Sequence, residues 1–392
     1  MADFHYLIVG GGMTADAAVQ GIRLTDSTGS VGLISREHHP PYNRPPLSKG
    51  LWKGDPLKGI WRNTTAMNVE LLLGHDAAGI DPAGHTVSDS AGTVYSYKKL
   101  LLATGGTPRR LPGDPGGVVY FRTLDDYTAV REAGAAGASF AVIGGGFIGS
   151  EVAAALAMTG SPVTMLFPEE AIGTHVYPAP FARFLTRYFG EKGITVRAAE
   201  SVRGIERRGK KFIVRTQGAA SLEVDMVVAG LGITPNVELA SGAGLACENG
   251  IRVDEWLRTS HPDIYAAGDV ASFFSPQMGR DVRVEHEDNA NTMGSAAGKN
   301  MAGGSVRYNH LPFFYSDLFD IGYEAVGDID ARLETVADWR EEFRQGVVYY
   351  MKAGRIRGVL LLNTWGKVDA ARALIAGGAP HAASDVVGLI RE

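Results

Sequence analysis

The chain has 392 residues, of which 45% are hydrophobic and 21% charged, and this length and composition predict a globular protein of two or three domains. A formal net charge of −5 gives no basic field, which argues against nucleic acid or an anionic membrane as a partner. The one cysteine, Cys247, excludes an intrachain disulfide and a CxxC redox dithiol.

The first apolar run, from Tyr6 to Met13, is too short to span a bilayer. Neither a basic targeting region nor an Arg/Ser-rich transit segment precedes it, since residues 1–5 carry an aspartate instead. These features predict a cytoplasmic protein.

The same run predicts a strand that ends at Val9 and is followed by glycines and a helix of small residues. Gly10-x-Gly12-x-x-Ala15 fits the dinucleotide-binding fingerprint, in which one glycine makes a tight turn and the next lets a pyrophosphate approach the backbone. A second strand, SVGLIS, leads to Glu37, at the spacing of a carboxylate that binds an adenosine ribose. A single turn of this kind is a weak signal, because such turns also occur without a ligand.

The design occurs again as Gly144-x-Gly146-x-x-Gly149, followed by the strand SPVTMLF and by Glu169 and Glu170. Two strand–helix–strand–acid units predict two dinucleotide sites, and two such sites indicate electron transfer between two cofactors. The second pair of acids also predicts a preference for NADH, because a carboxylate binds both ribose hydroxyls and repels the 2′-phosphate of NADPH. The alternative is that these acids are solvated turn residues.

Two later strands end in turns that would let the chain cross close to a cofactor. KKLLLATGG ends in Ala103, Thr104 and Gly105, and SHPDIYAAGD ends in Gly268 and Asp269. The Asp269 carboxylate is either a ligand of a ribityl chain or the cap of a following helix.

The last part of the chain mixes helix and strand patterns. RVEHEDNANTMGSAAGKN predicts a helix that begins near Glu287. EFRQGVVYYMK and RIRGVLLLNTWG predict strands, and KVDAARALIAGG predicts a final helix.

The two GGG turns, ATG, AGD and RPPLSK together resemble the FAD-dependent pyridine-nucleotide oxidoreductases, over nearly the whole chain. The chain is similar to the branch without a redox dithiol, which holds the ferredoxin reductases and apoptosis-inducing factor, and PYNRPPLSKGLW and RVEHEDNA favour the latter side. The resemblance implies a glutathione-reductase-like α/β architecture with two Rossmann-like domains and a C-terminal α/β domain. The expected boundaries are 1–113 and 243–305 for the FAD-binding domain, 114–242 for the NAD(H)-binding domain and 306–392 for the C-terminal interface domain.

The resemblance also implies which residues take part in hydride transfer and which bind the cofactors. Lys49, on the proline-stiffened segment PPYNRPPLSKG, would pair with Glu151 beside flavin N5 and serve hydride transfer, and Arg44 would bridge the FAD pyrophosphate. The alternative is that Arg44 and Lys49 are solvated loop cations. The implied FAD contacts are Gly10, Gly11, Gly12, Met13, Thr14, Arg36, Glu37, Arg44, Lys49, Ala78, Ala103, Thr104, Gly105, Arg122, Asp269, His286, Glu287 and Tyr315. The implied NAD contacts are Gly146, Phe147, Ile148, Glu151, Glu169, Gly173, Gly232, Glu285 and Tyr315, and no metal site is expected.

Two positions depart from the family pattern: Tyr315 stands where the family usually carries tryptophan, and Arg36 where it is acidic or small. Glu285 and His286 match family positions that touch nicotinamide and flavin, although a histidine taken alone is more often a surface or capping residue. The helix that begins near Glu287 would direct its N-terminus at the flavin N1–C2=O edge and favour negative charge there.

The function that the resemblance implies is an FAD-dependent NADH oxidoreductase. Hydride would pass from NADH to flavin N5, and electrons would then pass to a ferredoxin, a quinone or another small acceptor. The alternative is a redox-sensing interaction protein that forms an NADH-dependent dimer and turns over slowly. A homodimer is expected from the resemblance and from the apolar C-terminal strands.

Overall fold

The computed structural model describes residues 2–218 and 220–390, and the chain forms two compact units. The first unit consists of residues up to 43, 57–107 and 234–312, and the second of 44–56, 108–233 and 313 onwards. The proline-rich segment PPYNRPPLSKG is therefore divided: residues 40–43 belong to the first unit, and Arg44 and Lys49 belong to the second. The division into FAD-binding, NAD(H)-binding and C-terminal domains stays a prediction.

A seven-stranded sheet forms the centre of the first unit. Its strands, in spatial order, are Glu70–Leu73, Val31–Ser35, Ala2–Val9, Val94–Leu102, Thr86–Asp89 and Ala77–Asp81, and Ile264–Ala266 also pairs with Val94–Leu102. The first four strands and Ile264–Ala266 are parallel, and Ile8 lies opposite both Leu33 and Leu101. These three side chains are fully buried, as expected for a parallel sheet that is covered on both faces.

Two helices of the first unit, Met13–Arg23 and Glu287–Met301, touch at the level of the backbone. A Cβ at Gly294 would overlap the carbonyl oxygen of Thr14, and a Cβ at Gly298 would overlap that of Ala18. Glycine is therefore needed on the second helix for this close approach. The second helix begins at Glu287, which confirms the start predicted from the sequence.

The second unit contains a five-stranded parallel sheet and a three-stranded antiparallel sheet. The strands of the parallel sheet, in spatial order, are Thr195–Arg197, Val163–Leu166, Phe140–Ile143, Met226–Ala229 and Val119–Tyr120. The antiparallel strands are Val202–Arg208, Lys211–Thr216 and Ser221–Val224. Helix Phe147–Met158 follows the strand Phe140–Ile143, so the second glycine motif lies between a strand and a helix, as predicted.

The C-terminal part of the second unit is a five-stranded antiparallel sheet. Its strands, in spatial order, are Phe313–Leu318, Ile321–Gly327, Arg355–Leu362, Gln345–Lys352 and Glu334–Glu341. Helix Val368–Gly377 follows. The two strands and the helix that the sequence predicts for this part are therefore confirmed.

The remaining elements are short or peripheral. The other α-helices are Leu124–Ala135, Ala179–Glu191 and Glu238–Gly242. The other strands are Gly106–Pro108, Ile233–Pro235, Cys247–Glu248, Gly250–Arg252, Ala271–Ser275 and Arg280–Val282. The 3₁₀ helices are Pro45–Ser48, Gly50–Trp52, Leu57–Ile60, Thr64–Met67, Gly268–Val270 and Ala383–Asp385. Within residues 2–218 and 220–390, no helix is long and apolar enough to cross a membrane.

Candidate functional site

Three of the predicted turns lie at one edge of the large sheet in the first unit. Strand Val94–Leu102 lies between Ala2–Val9 and Ile264–Ala266, with Leu102 opposite both Val9 and Ala266. The GGG, ATG and AGD turns follow these three parallel strands directly, so they meet at the carboxyl ends. This edge is where open α/β sheets bind their ligands.

The first glycine turn, Gly10–Gly12, leaves open space in front of a helix N-terminus. Gly10 has a φ of +125°, and a Cβ there would overlap the carbonyl oxygen of Ala103. Gly12 precedes helix Met13–Arg23 with a φ of −91° and no side-chain cap. Apart from its chain neighbours, no atom of the described chain lies within 4 Å of where a Cβ of Gly12 would stand. Such a space beside free N–H groups fits the pyrophosphate of a dinucleotide.

The second glycine turn, Gly144–Gly146, repeats this geometry in the second unit. Gly144 has a φ of +117°, and a Cβ there would overlap the carbonyl oxygen of Gly230. Gly149 touches the backbone of Gly144, which lets the helix approach the strand closely. The space around the Cβ position of Gly146 is open to 4 Å among the residues described. Each unit therefore offers one site that fits a dinucleotide pyrophosphate.

Glu37, the predicted ribose ligand of the first unit, is held by a tyrosine that the sequence reasoning missed. The Tyr42 hydroxyl donates to Glu37 Oε2 at 2.6 Å, and Tyr42 is buried. Tyr42 lies in PPYNRPP, five residues after the acid, and a sequence does not show which side chain its hydroxyl will meet. The hydroxyl fixes the direction of the carboxylate.

The AGD turn is fixed by contacts within the first unit. The Gly268 N–H donates to Met293 Sδ at 3.2 Å, and the backbone carbonyl of Asp269 accepts a hydrogen bond from Arg283 Nη1 at 2.9 Å. The strand Ala271–Ser275 follows Asp269, and the next α-helix begins at Glu287, after His286. The role of the Asp269 carboxylate as a ligand of the ribityl chain stays a prediction.

Arg283 was not predicted from the sequence, although it begins the motif RVEHEDNA. Its side chain is 9% exposed, and Nη1 also lies 2.8 Å from Glu285 Oε1. The guanidinium therefore ties the predicted nicotinamide contact Glu285 to the turn that carries Asp269. Next to it, burial lowers the pKa of His286 to about 4, so the imidazole is neutral at pH 7.

The two predicted catalytic residues meet in the second unit. Lys49 Nζ lies 2.7 Å from Glu151 Oε2, with the lysine side chain 10% exposed and the glutamate 3% exposed. Two serines missed by the sequence reasoning also donate to this carboxylate: Ser48 Oγ to Oε2 and Ser316 Oγ to Oε1, each at 2.6 Å. Lys49 Nζ lies 5.3 Å from the centre of the Tyr315 ring. Three donors on one buried carboxylate hold it in a single orientation.

Three other predicted FAD contacts, Arg44, Arg36 and Ala78, differ in their neighbours and in their exposure. Arg44 Nη1 donates to the backbone carbonyl of Arg122 at 3.0 Å in the second unit. Arg36 is largely exposed and pairs with Asp76 at 3.0 Å, and Ala78 is exposed. Their contacts with FAD stay predictions, as do those of the remaining residues named from the resemblance.

The predicted NAD contacts lie around the second glycine turn and the segment after strand Val163–Leu166. The Gly173 N–H donates to the Gly145 carbonyl at 2.9 Å, which ties this segment to the turn. Glu169 lies on the same segment with its side chain 31% exposed, 3.5 Å from His175 Nε2. Gly232 follows strand Met226–Ala229 at a φ of +77°.

Comparison with known proteins identifies the family. The Pyridine nucleotide-disulphide oxidoreductase family matches residues 4–294, and the family described as Apoptosis-inducing factor, mitochondrion-associated, C-term matches residues 297–342. The ferredoxin--NAD(+) reductase component of the anthranilate 1,2-dioxygenase system of Burkholderia cepacia is 35% identical over 384 residues, 95% of this chain and 94% of that protein. The 5,5′-dehydrodivanillate O-demethylase ferredoxin reductase subunit of Sphingobium sp. is 33% identical over 392 residues, covering 96% and 94% of the two chains.

A solved structure agrees with these relatives. The reductase chain in the crystal structure of the covalent putidaredoxin reductase–putidaredoxin complex matches with a TM-score of 0.90 and 31% identity, over 97% of this chain and 94% of that one. The predicted fold class and the resemblance are therefore confirmed. The expected cofactors, FAD and NAD(H), are those of this enzyme class, and the glycine turns fit them. The chain belongs to the pyridine nucleotide-disulphide oxidoreductase family and is an FAD-dependent oxidoreductase.

Proposed function

We propose that the chain is a ferredoxin–NAD(+) reductase that takes electrons from NADH and passes them to a ferredoxin. The observation that carries this proposal is the 35% identity to a ferredoxin--NAD(+) reductase component over 95% of this chain and 94% of that protein. The likeness to a reductase solved in complex with putidaredoxin supports the same partner class. The single cysteine, Cys247, agrees with electron transfer that does not use a dithiol.

Bound FAD supplies the step between a two-electron donor and a one-electron acceptor. The first glycine turn, Glu37 and Asp269 would bind it in the first unit, and the role of Arg44 as the pyrophosphate cation stays a prediction. The second glycine turn and Glu169 would bind NADH. Lys49 and Glu151 would orient the reacting groups, because a buried charged pair held by two serines keeps one geometry.

The redox-sensing dimer, the alternative that the sequence left open, receives no support from these relatives. A quinone as acceptor, the homodimer and the cytoplasmic location stay predictions.

Glu169→Arg is expected to reduce the difference between the Kd values for the two coenzymes. In the wild type, a ribose hydrogen-bond acceptor and its repulsion of a 2′-phosphate should favour NADH over NADPH by about 10-fold to 100-fold in Kd, since 1.4 kcal/mol is tenfold. The arginine removes the acceptor and provides a cation for the phosphate. Calorimetric titration with NAD⁺ and NADP⁺ measures both constants. Equal wild-type affinities for the two coenzymes would show that Glu169 does not face the ribose.

The acceptor is tested by steady-state oxidation of NADH with several acceptors. We expect the FAD-loaded protein to reduce a ferredoxin from the same host with a kcat/KM well above that for a water-soluble quinone or oxygen. A ferredoxin from an unrelated oxygenase system controls for non-specific reduction. The proposal is wrong if the quinone is preferred over every ferredoxin tried.

A further inference from the structure

Asp16 is a buried acid on the helix that follows the first glycine turn. Its N–H donates to the Gly12 carbonyl at 3.3 Å, so it lies on the first turn of helix Met13–Arg23. Its side chain is 0% exposed. A carboxylate in this position interacts with the positive end of the helix and repels an anion that approaches the same end. A buried acid beside a pyrophosphate site therefore needs a counter-charge.

Arg62 supplies this counter-charge from another segment of the first unit. Its Nε donates to Asp16 Oδ2 at 2.7 Å, and its side chain is 12% exposed. Thr64 Oγ1 donates to Asp16 Oδ1 at 2.6 Å, and the exposed Gln20 side chain donates to Oδ2 at 2.7 Å. Both oxygens of the carboxylate therefore have hydrogen-bond donors, and its charge is neutralised within the protein.

The two long helices of the first unit begin at the same end. Gly294 lies against the backbone of Thr14 and Gly298 against that of Ala18, so residue numbers rise in the same direction and the helices are parallel. Parallel helices direct the positive ends of their dipoles the same way. The first helix would face the pyrophosphate of FAD, and the resemblance places the second at the flavin N1–C2=O edge. One cofactor would therefore meet both helix ends.

The Arg62 guanidinium forms hydrogen bonds with both helices. While Nε binds Asp16 on the first helix, Nη2 donates to the side-chain oxygen of Asn291, near the start of helix Glu287–Met301, at 2.9 Å. Nη1 donates to the side-chain oxygen of Asn43 at 2.7 Å. The planar guanidinium presents these three N–H groups in a fixed geometry, which the single ammonium group of a lysine does not reproduce.

We propose that Arg62 is a positioning residue for FAD. It neutralises Asp16, so that the end of the first helix is left to attract the pyrophosphate. It also holds the second helix in the orientation in which its N-terminus favours the reduced, negatively charged flavin. The first role needs only a cation, whereas the second needs the hydrogen bond to Asn291. The proposal rests on the placement of FAD that the proposed function gives.

Arg62→Gln and Arg62→Lys separate the two roles. In Arg62→Gln the Asp16 charge is no longer neutralised, and FAD should bind about 10-fold to 100-fold more weakly. Arg62→Lys retains a cation and should bind FAD within about 3-fold of the wild type. Both variants, and Asn291→Ala, lose the hydrogen bond to the second helix, so the reduced flavin should lose about 5-fold in affinity relative to the oxidised flavin. For a two-electron couple this lowers the midpoint potential by about 20 mV.

Flavin fluorescence after dilution of the holoprotein measures the FAD affinity, and titration with redox dyes measures the potential. Arg23→Gln is the matched control, because Arg23 ends the first helix and its guanidinium bonds to backbone carbonyls such as that of Met67, at 2.8 Å. It should change the melting temperature but neither of the two measured quantities. Asp16→Asn added to Arg62→Gln should restore the affinity but not the potential, and this double variant replaces Arg62→Gln if the latter folds poorly.

An FAD affinity in Arg62→Gln equal to that of Arg23→Gln would overturn the neutralising role. A wild-type potential in both Arg62→Lys and Asn291→Ala would overturn the positioning of the second helix. Neither measurement uses NADH or a ferredoxin. A wild type that reduces a ferredoxin normally, while the Arg62 variants match the control, therefore contradicts the role of Arg62 alone and not the proposed function.

Discussion

Replacing Lys49 by methionine is expected to slow the reduction of the bound flavin by NADH by about 100-fold and to lower the stability of the protein. The substitution removes the cation of a buried pair and leaves the Glu151 carboxylate, 3% exposed, without its counter-charge. Breaking such a pair typically costs about 3–5 kcal/mol of folding stability, and misplacing a group at the reacting centre can slow the reaction by about 100-fold. Anaerobic stopped-flow absorbance measures the rate, and thermal unfolding measures the stability.

Lys53→Met is the matched control, because it removes another lysine only four residues further along the chain. Lys53 Nζ pairs with Asp317 at 3.1 Å, but its side chain is 40% exposed and the pair is screened by water. We expect a loss of less than about 1 kcal/mol and no change in the rate. A rate in Lys49→Met equal to that of Lys53→Met would remove Lys49 and Glu151 from the hydride step.

Replacing Gly12 by alanine and replacing Gly10 by alanine should have different effects. The first variant should fold but lose FAD, and the second should not fold. Gly12→Ala places a Cβ in open space at an ordinary φ of −91°, so the protein should fold with a stability unchanged or raised by up to about 1 kcal/mol. The same Cβ would occupy the space in front of the helix where we place the pyrophosphate, so most of the FAD should be lost. Gly10→Ala combines a φ of +125° with an overlap on the Ala103 carbonyl and should prevent folding of the first unit.

The ratio of flavin to protein absorbance, measured with the melting temperature, separates these outcomes. Gly190→Ala is the control for an added methyl group in open space, because no described residue approaches its Cβ position and it lies within helix Ala179–Glu191. It should retain FAD. Full flavin content in Gly12→Ala would show that the first glycine turn does not hold the pyrophosphate.

The sequence predicts the local elements of this fold well, because each has a signal within a few residues. Both glycine turns lie between a strand and a helix, and the helix at Glu287 begins where expected. The glycine spacing gives these predictions because, at Gly10 and Gly144, another backbone segment approaches so closely that any side chain would overlap it. The periodicity of the C-terminal strands is likewise local.

The partners within the candidate site were harder to predict, because they are distant in sequence. Ser48 and Ser316 stand 103 and 165 residues from Glu151, and Ser48 lies in the motif RPPLSK. Nothing in a motif shows which side chain its hydroxyl will meet. The same holds for Tyr42 on Glu37 and for Arg283 beside Asp269, where only the fold sets the hydrogen bond.

The grouping of segments into compact units also depends on long-range contacts. The proline-rich segment follows a strand of the first unit in sequence, yet residues 44–56 belong to the second unit. Contacts such as that of Ser48 with Glu151 hold it there. A composition shift or a proline cluster marks such a segment but does not say which sheet it joins.

Anaerobic mixing of NADH with the FAD-loaded protein in the presence of excess oxidised ferredoxin tests the proposed electron path most directly. Absorbance is followed at wavelengths that separate the flavin from the iron–sulfur cluster. We predict that the flavin bleaches first, that the ferredoxin is then reduced in proportion to the NADH consumed, and that Lys49→Met delays both signals together. A flavin that stays oxidised in the presence of NADH, or a ferredoxin that stays oxidised after the flavin has bleached, would contradict the proposed function.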